Sequence, residues 1–117
     1  MVRRGVIVAA LAVVAGCAPR LPVAPRGSHA DDMPELVPFP PPPARVELIP
    51  PRPNQEAVWI DGTWMWTGGR YEWQPGGWAQ PVPGATYAPA NLVRRRNGEL
   101  LYYRGVWRVP GRSGPER

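Results

Sequence analysis

Three stretches of this chain share one spacing, and that spacing limits what it can fold into. Trp59-Ile60-Asp61-Gly62-Thr63-Trp64 and Trp73-Gln74-Pro75-Gly76-Gly77-Trp78 both read W-x-x-G-x-W, fourteen residues apart. Tyr102-Tyr103-Arg104-Gly105-Val106-Trp107 repeats the pattern with Tyr in the first slot, twenty-nine residues after the second copy, or about two periods. The slot between them begins at Tyr87 and reads Tyr-Ala-Pro-Ala-Asn-Leu, its glycine and second Trp lost. Units that recur at a fixed period build one structural element each, which is stable only against its neighbours. The two aromatics of a unit are five positions apart, so a straight strand would turn them to opposite faces. One extra residue in a bulge at Gly62, Gly76 or Gly105 restores the parity, and the missing side chain leaves room for a neighbouring ring.

Turn chemistry sets the order of the strands. Thr67-Gly68-Gly69-Arg70 and Arg96-Asn97-Gly98-Glu99 are two-residue hairpin signals, because Gly and Asn tolerate positive φ. A loop at Gly68-Gly69 pairs Trp66 with Tyr71, Met65 with Glu72 and Trp64 with Trp73, so aromatic pairs share one face. A loop at Asn97-Gly98 pairs Arg96 with Glu99 and Val93 with Tyr102. The expected fold is mainly β, a small antiparallel meander of four bent strands near 57–66, 70–79, 86–96 and 99–109. Pro81, Pro83 and Gly84 make the looser link between its halves.

The segment resembles the W-x-x-G-x-W (Y-x-W-G-x-W) repeat family of small secreted or lipid-anchored bacterial proteins. Gly68-Gly69-Arg70-Tyr71-Glu72-Trp73-Gln74-Pro75-Gly76-Gly77-Trp78 carries that resemblance most closely, and it extends over residues 57–109. It implies an envelope location and a β-rich repeat without an established activity. Some members resemble accessory lipoproteins of two-partner secretion and contact-dependent inhibition loci.

The N-terminus reads differently. Arg3 and Arg4 precede an apolar run from Val6 to Ala15 that is too short to span a bilayer, so residues 1–16 read as a cleaved signal peptide. Val14-Ala15-Gly16-Cys17 looks like a bacterial lipobox, which implies cleavage before Cys17, the only cysteine, and its acylation. A plain signal peptide with a chance cysteine is the blander alternative. With three acyl chains, at about 0.8 kcal/mol per buried CH2, the anchor would hold firmly. Ala18 in place of the aspartate that commonly retains such proteins at the inner membrane favours the outer membrane, with the chain facing the periplasm.

Twelve prolines lie between Ala18 and Glu56, including Pro40 to Pro43. Proline fixes φ and removes an amide donor, so residues 17–56 are expected to form a disordered polyproline-like spacer without strand or helix. Extended at about 3.1 Å per residue, it would reach on the order of 100 Å. A proline-rich ligand for an SH3-like groove is the sharper alternative. Residues 110–117 read as a disordered tail.

Function is less legible. All fourteen cations are Arg and the formal net charge is +5, but an exported chain rarely meets nucleic acid, and none is expected as a partner. On a strand, Arg95 points away from Arg94 and Arg96, which reads as a charged edge that resists aggregation; contact with anionic lipid or polysaccharide phosphate is the alternative. His29, the one histidine, lies in the spacer, and no nucleophile–base pair or metal-ligand cluster is visible. No enzyme activity, cofactor or metal is expected. The aromatics Trp59, Trp64, Trp66, Tyr71, Trp73, Trp78 and Trp107 remain as a candidate binding face. They serve either as the core of a marginal small domain or as a face exposed to a partner, since a lone sheet has no second layer. The partner would be an envelope protein, a second copy, or peptidoglycan or another polysaccharide stacked on the indoles, with the membrane held through Cys17.

Overall fold

The computed structural model describes residues 20–111. The signal peptide at 1–16, Cys17 with its lipidation, and the tail from 112 onward lie outside the described residues. The described chain is all-β, and its named strands pair antiparallel, as the turn signals require, with one isolated parallel bridge between Arg26 and Tyr87: β1 (Glu35–Val37), β2 (Val58–Ile60), β3 (Thr63–Trp66), β4 (Tyr71–Gln74), β5 (Gly77–Ala79), β6 (Thr86–Ala88), β7 (Asn91–Arg94), β8 (Leu100–Tyr103) and β9 (Val106–Arg108).

Each bent strand of the repeat is broken in two at the same place. The breaks fall at Asp61-Gly62, Pro75-Gly76, Pro89-Ala90 and Arg104-Gly105, so the degenerate unit at Tyr87 keeps the architecture with Ala90 in the glycine slot. Unit one pairs with unit two through β2–β5 and β3–β4, and unit three pairs with unit four through β6–β9 and β7–β8. This corrects the single meander. Among the described residues no ladder joins the two broken hairpins to each other, and the link through Pro81 and Pro83 is only a connection.

The first hairpin has the register its turn dictates, with Trp64 opposite Trp73, Met65 opposite Glu72 and Trp66 opposite Tyr71. Only the first of its two loop glycines, Gly68, has positive φ (86°), the requirement of a type II′ turn. The second hairpin differs from expectation by one residue. Leu92, not Val93, faces Tyr102, and Arg95 faces Glu99, whose carbonyl accepts from the Arg95 amide at 2.8 Å. The loop is therefore the three residues Arg96-Asn97-Gly98, with Gly98 at φ 91°. A three-residue loop ending in a left-handed glycine makes a bulged hairpin. Burial selects this register, because a one-residue slip exchanges the faces. Leu92 packs on the core with Tyr102, while Val93 is exposed.

The larger correction concerns the proline-rich segment. It contributes a strand, β1, which pairs with β8 through Glu35 with Tyr102, Leu36 with Leu101 and Val37 with Leu100. Proline excludes a residue from donating to a ladder, but Glu35-Leu36-Val37 lies between Pro34 and Pro38 and keeps its amides. Residues 20–56 are thus not a free spacer; they wrap the repeat and supply the second layer the sheets lack. The buried core of Val37, Trp66, Leu100 and Tyr102 takes one residue from the wrap, one from the first hairpin and two from the second.

Candidate functional site

The aromatic face is built from reciprocal pairs. In each hairpin the first aromatic of one unit lies opposite the last position of its partner unit. Trp59 faces Trp78, Trp73 faces Trp64, Tyr87 faces Trp107 and Tyr102 faces Leu92. Trp59–Trp78 and Trp64–Trp73 are edge-to-face, with centroids 5.4 and 5.3 Å apart, and Tyr87–Trp107 is tilted at 5.0 Å. Edge-to-face contact directs the positive rim of one ring at the negative face of the other and adds about 0.5–1.5 kcal/mol beyond burial.

The repeat glycines are required for space, since none of them has positive φ. A Cβ on Gly76 would lie 2.7 Å from Trp59 Cζ2, and one on Gly62 would collide with Trp73 Cζ2. A Cβ on Gly105 would strike the Tyr87 hydroxyl. The first ring of each of these units therefore passes over the glycine of its partner unit. This explains the motif: W-x-x-G-x-W gives each strand one ring to place over its partner's break and one break to receive a ring.

Four of the six indole N–H groups are bound by the chain itself. Trp64 donates to the Pro43 carbonyl at 3.1 Å and Trp78 to the Pro50 carbonyl at 2.9 Å. Trp73 donates to Glu47 Oε1 at 2.7 Å and Trp59 to Asp61 Oδ1 at 2.9 Å. The backbone follows the same rule, with the Trp59 amide donating to Pro22 O and the Tyr87 amide to Pro25 O. An indole can only donate, and a proline offers only a carbonyl. The two oddities of composition are thus complements, and the chain carries the ligand for its own aromatic groove. Phe39 closes the far end, edge-on to Trp66 at 5.6 Å and to Tyr71 at 5.8 Å.

Trp59 and Trp66 are buried, and Trp64, Tyr71, Trp73, Trp78 and Trp107 are half-buried; none lies exposed as an open stacking platform. Burial pushes the Tyr71, Tyr87 and Tyr102 hydroxyls above their ordinary value of 10.0. Among the described residues no group of three His, Cys, Asp or Glu gathers to hold a metal ion, and no helix is long and apolar enough to cross a membrane. Arg94, Arg95 and Arg96 are all exposed, and Arg95 is ion-paired with Glu99 at 3.5 Å.

The solvent-facing feature absent from the sequence reading is the arch between the proline runs. Arg45 sits over the Trp64 and Trp73 rings at 4.9 and 5.9 Å, and Glu47 bridges Trp73 Nε1 and the Gly76 amide at 2.7 and 2.8 Å. Between and beyond them, Val46 is 100% and Leu48 97% exposed. The signal was the alternation Arg-Val-Glu-Leu in an extended, proline-bounded stretch. It has strand period, but nothing in it says which set faces inward.

Residues 58–79 match the family model of the WXXGXW repeat in two copies, the units that contain Gly62 and Gly76. No curated protein and no solved structure matches the chain.

Proposed function

We propose that this WXXGXW repeat-containing protein is a non-enzymatic lipoprotein of the bacterial envelope, anchored through Cys17, whose strapped β-repeat makes protein–protein contacts through the arch at Val46, Leu48 and Ile49. The inverted alternation of that arch carries the reading. A solvated extended segment ordinarily turns its charges outward and its apolar side chains inward. Here Arg45 and Glu47 are held on the aromatic groove, leaving Val46 and Leu48 wholly in water. Apolar groups gathered on a surface mark a contact site. The anchor and the envelope location rest on the lipobox-like Val14–Cys17 and on the family resemblance. The one histidine is engaged by Asp32 and the Pro89 carbonyl, not by a nucleophile.

Glycan binding is the second reading, and one observation favours it. A cleft of about 620 Å3 lies between the hairpins, lined by Tyr87, Trp78 and Trp107 with Gln74 and Arg104, a mixture of ring faces and polar groups suited to a sugar.

The test is sedimentation of the full chain and of a Val46→Ser/Leu48→Ser variant, with a photo-crosslinking residue at position 46 in cells. Burying both side chains contributes about 1.5–3 kcal/mol each, so the variant should lose its complex by about a hundredfold or more. A discrete crosslinked protein product that the two serines abolish supports the contact reading. An unchanged product, or none, refutes it. Muropeptides that quench Trp78 and Trp107 while position 46 stays uncrosslinked would favour the glycan reading.

A further inference from the structure

The first part of the wrap, residues 22–32, is held by a cluster that the repeat does not need. His29 uses both ring nitrogens. Nδ1 lies 2.7 Å from Asp32 Oδ2, and Nε2 lies 2.5 Å from the carbonyl of Pro89, at the break between β6 and β7. Its ring leans on Tyr103 of β8, centroids 5.2 Å apart. The other oxygen of Asp32 accepts from Arg108 of β9. The residues facing the imidazole are therefore Asp32 from its own segment, Tyr103 from β8 and Pro89 from the break, with Arg108 of β9 acting through Asp32. Hydrogen bonds to Arg108 and to His29 hold the Asp32 carboxyl below its ordinary value of 3.8, so it stays an anionic acceptor through the neutral range.

A carbonyl and a carboxylate can only accept, so each nitrogen of His29 must donate. The imidazolium has two N–H groups and satisfies both. The neutral ring has one, and whichever tautomer it adopts it sets a lone pair against an acceptor. We propose that His29 is a proton-operated clasp: protonated, it pins residues 22–32 across the repeat, and on losing a proton it releases them. The sign follows from the geometry. Closure is favoured while both ring nitrogens carry protons, and so weakens as pH rises.

Release has a defined structural consequence. Beyond His29, the strap is held by the Tyr87 amide on Pro25 O and the Gly27 amide on Tyr87 O, both at 2.9 Å, and by the Trp59 amide on Pro22 O. Beneath it lies a cleft of about 390 Å3, with Val23 and Arg26 of the strap on one side and Trp59, Asp61, Tyr87 and Ala90 of the repeat on the other. Lifting the strap uncovers the breaks of units one and three together, a stretch of the aromatic groove whose cover depends on the histidine. The inference is independent of the arch, which is held at Trp64, Trp73 and Gly76.

The test is amide hydrogen exchange of the full chain from about pH 5.5 to 8, corrected for intrinsic rates. His29 is the only histidine, so a single imidazole resonance follows the clasp directly. Losing one charged hydrogen bond predicts that protection of Gly27 and Tyr87 falls about tenfold across that range, while the β3 and β4 amides hold. His29→Gln, which cannot change its protonation, should flatten the response, and Asp32→Asn should do the same. Wild-type protection that stays constant, an equal fall in His29→Gln, or a fall shared by β3 and β4 would overturn the clasp.

Discussion

Gly76 and Gly77 are adjacent, yet the structure assigns them opposite sensitivities. A Cβ on Gly76 would meet Trp59 Cζ2 at 2.7 Å, Ile60 O at 2.8 Å and Gly62 N at 2.9 Å. Two of these are backbone atoms of the partner strand's break, and the third is a ring fixed by Asp61 and by contact with Trp78. None can move without parting the two breaks. A Cβ on Gly77 meets nothing within 4 Å. Overpacking costs about 1–3 kcal/mol. Weakening the Glu47 bond to the Gly76 amide adds roughly 1 kcal/mol more at this half-buried site, so Gly76→Ala should cost about 3 kcal/mol. For a domain of this size that lowers Tm by on the order of 15 °C. Gly77→Ala should be neutral or stabilising by about 0.4–1 kcal/mol, because alanine has less freedom to lose on folding. Thermal unfolding followed by tryptophan fluorescence compares the two directly. Equal midpoints would refute the assignment of the motif glycine to ring passage.

Glu47→Ala removes the acceptor of both Trp73 Nε1 and the Gly76 amide; at about 1.5 kcal/mol for each charged hydrogen bond, denaturant unfolding should show a loss of about 3 kcal/mol, and Glu47→Gln, which keeps one acceptor, about half of it. Alkaline titration tests the buried phenols. The Tyr87 and Tyr102 hydroxyls are raised above 10.0 by burial; ionising them opposes folding, so this contribution to stability is complete below pH 10 and is lost as pH rises through their folded values. Ultraviolet titration should show them ionising together with unfolding, and ionisation at pH 10 without loss of structure would contradict their burial.

The repeat was legible because its evidence is local. Trp64 with Trp73 and Trp66 with Tyr71 followed from one turn and the period of a strand, and even the degenerate unit at Tyr87 kept its place in the count. The register of the second hairpin was missed by one residue, because Arg96-Asn97-Gly98-Glu99 reads equally as a two-residue or a three-residue loop. The choice between them was made by Leu92 and Tyr102 sharing a core with Val37, more than fifty residues away in sequence. The wrap was missed for a related reason. Proline's missing amide argues against a ladder, and the local signal ends there. Its unused carbonyls become structural only when donor-only indoles stand opposite, a pairing at long sequence separation with no periodic trace. The aromatics that pack together were legible as residues; that residues 20–56 of the same chain lie against them was not.

The claim that joins fold and function is that residues 34–50 are the second layer of this domain and not a spacer. Nuclear Overhauser contacts from the Phe39 ring, measured on the full chain with backbone relaxation of Glu35, Leu36, Val37 and Glu47, test it most directly. The account predicts cross-peaks from Phe39 to Trp66 and Tyr71 and order parameters near about 0.85 through this stretch. Order parameters below about 0.6 with no such cross-peaks would describe a free tether, and would contradict the account.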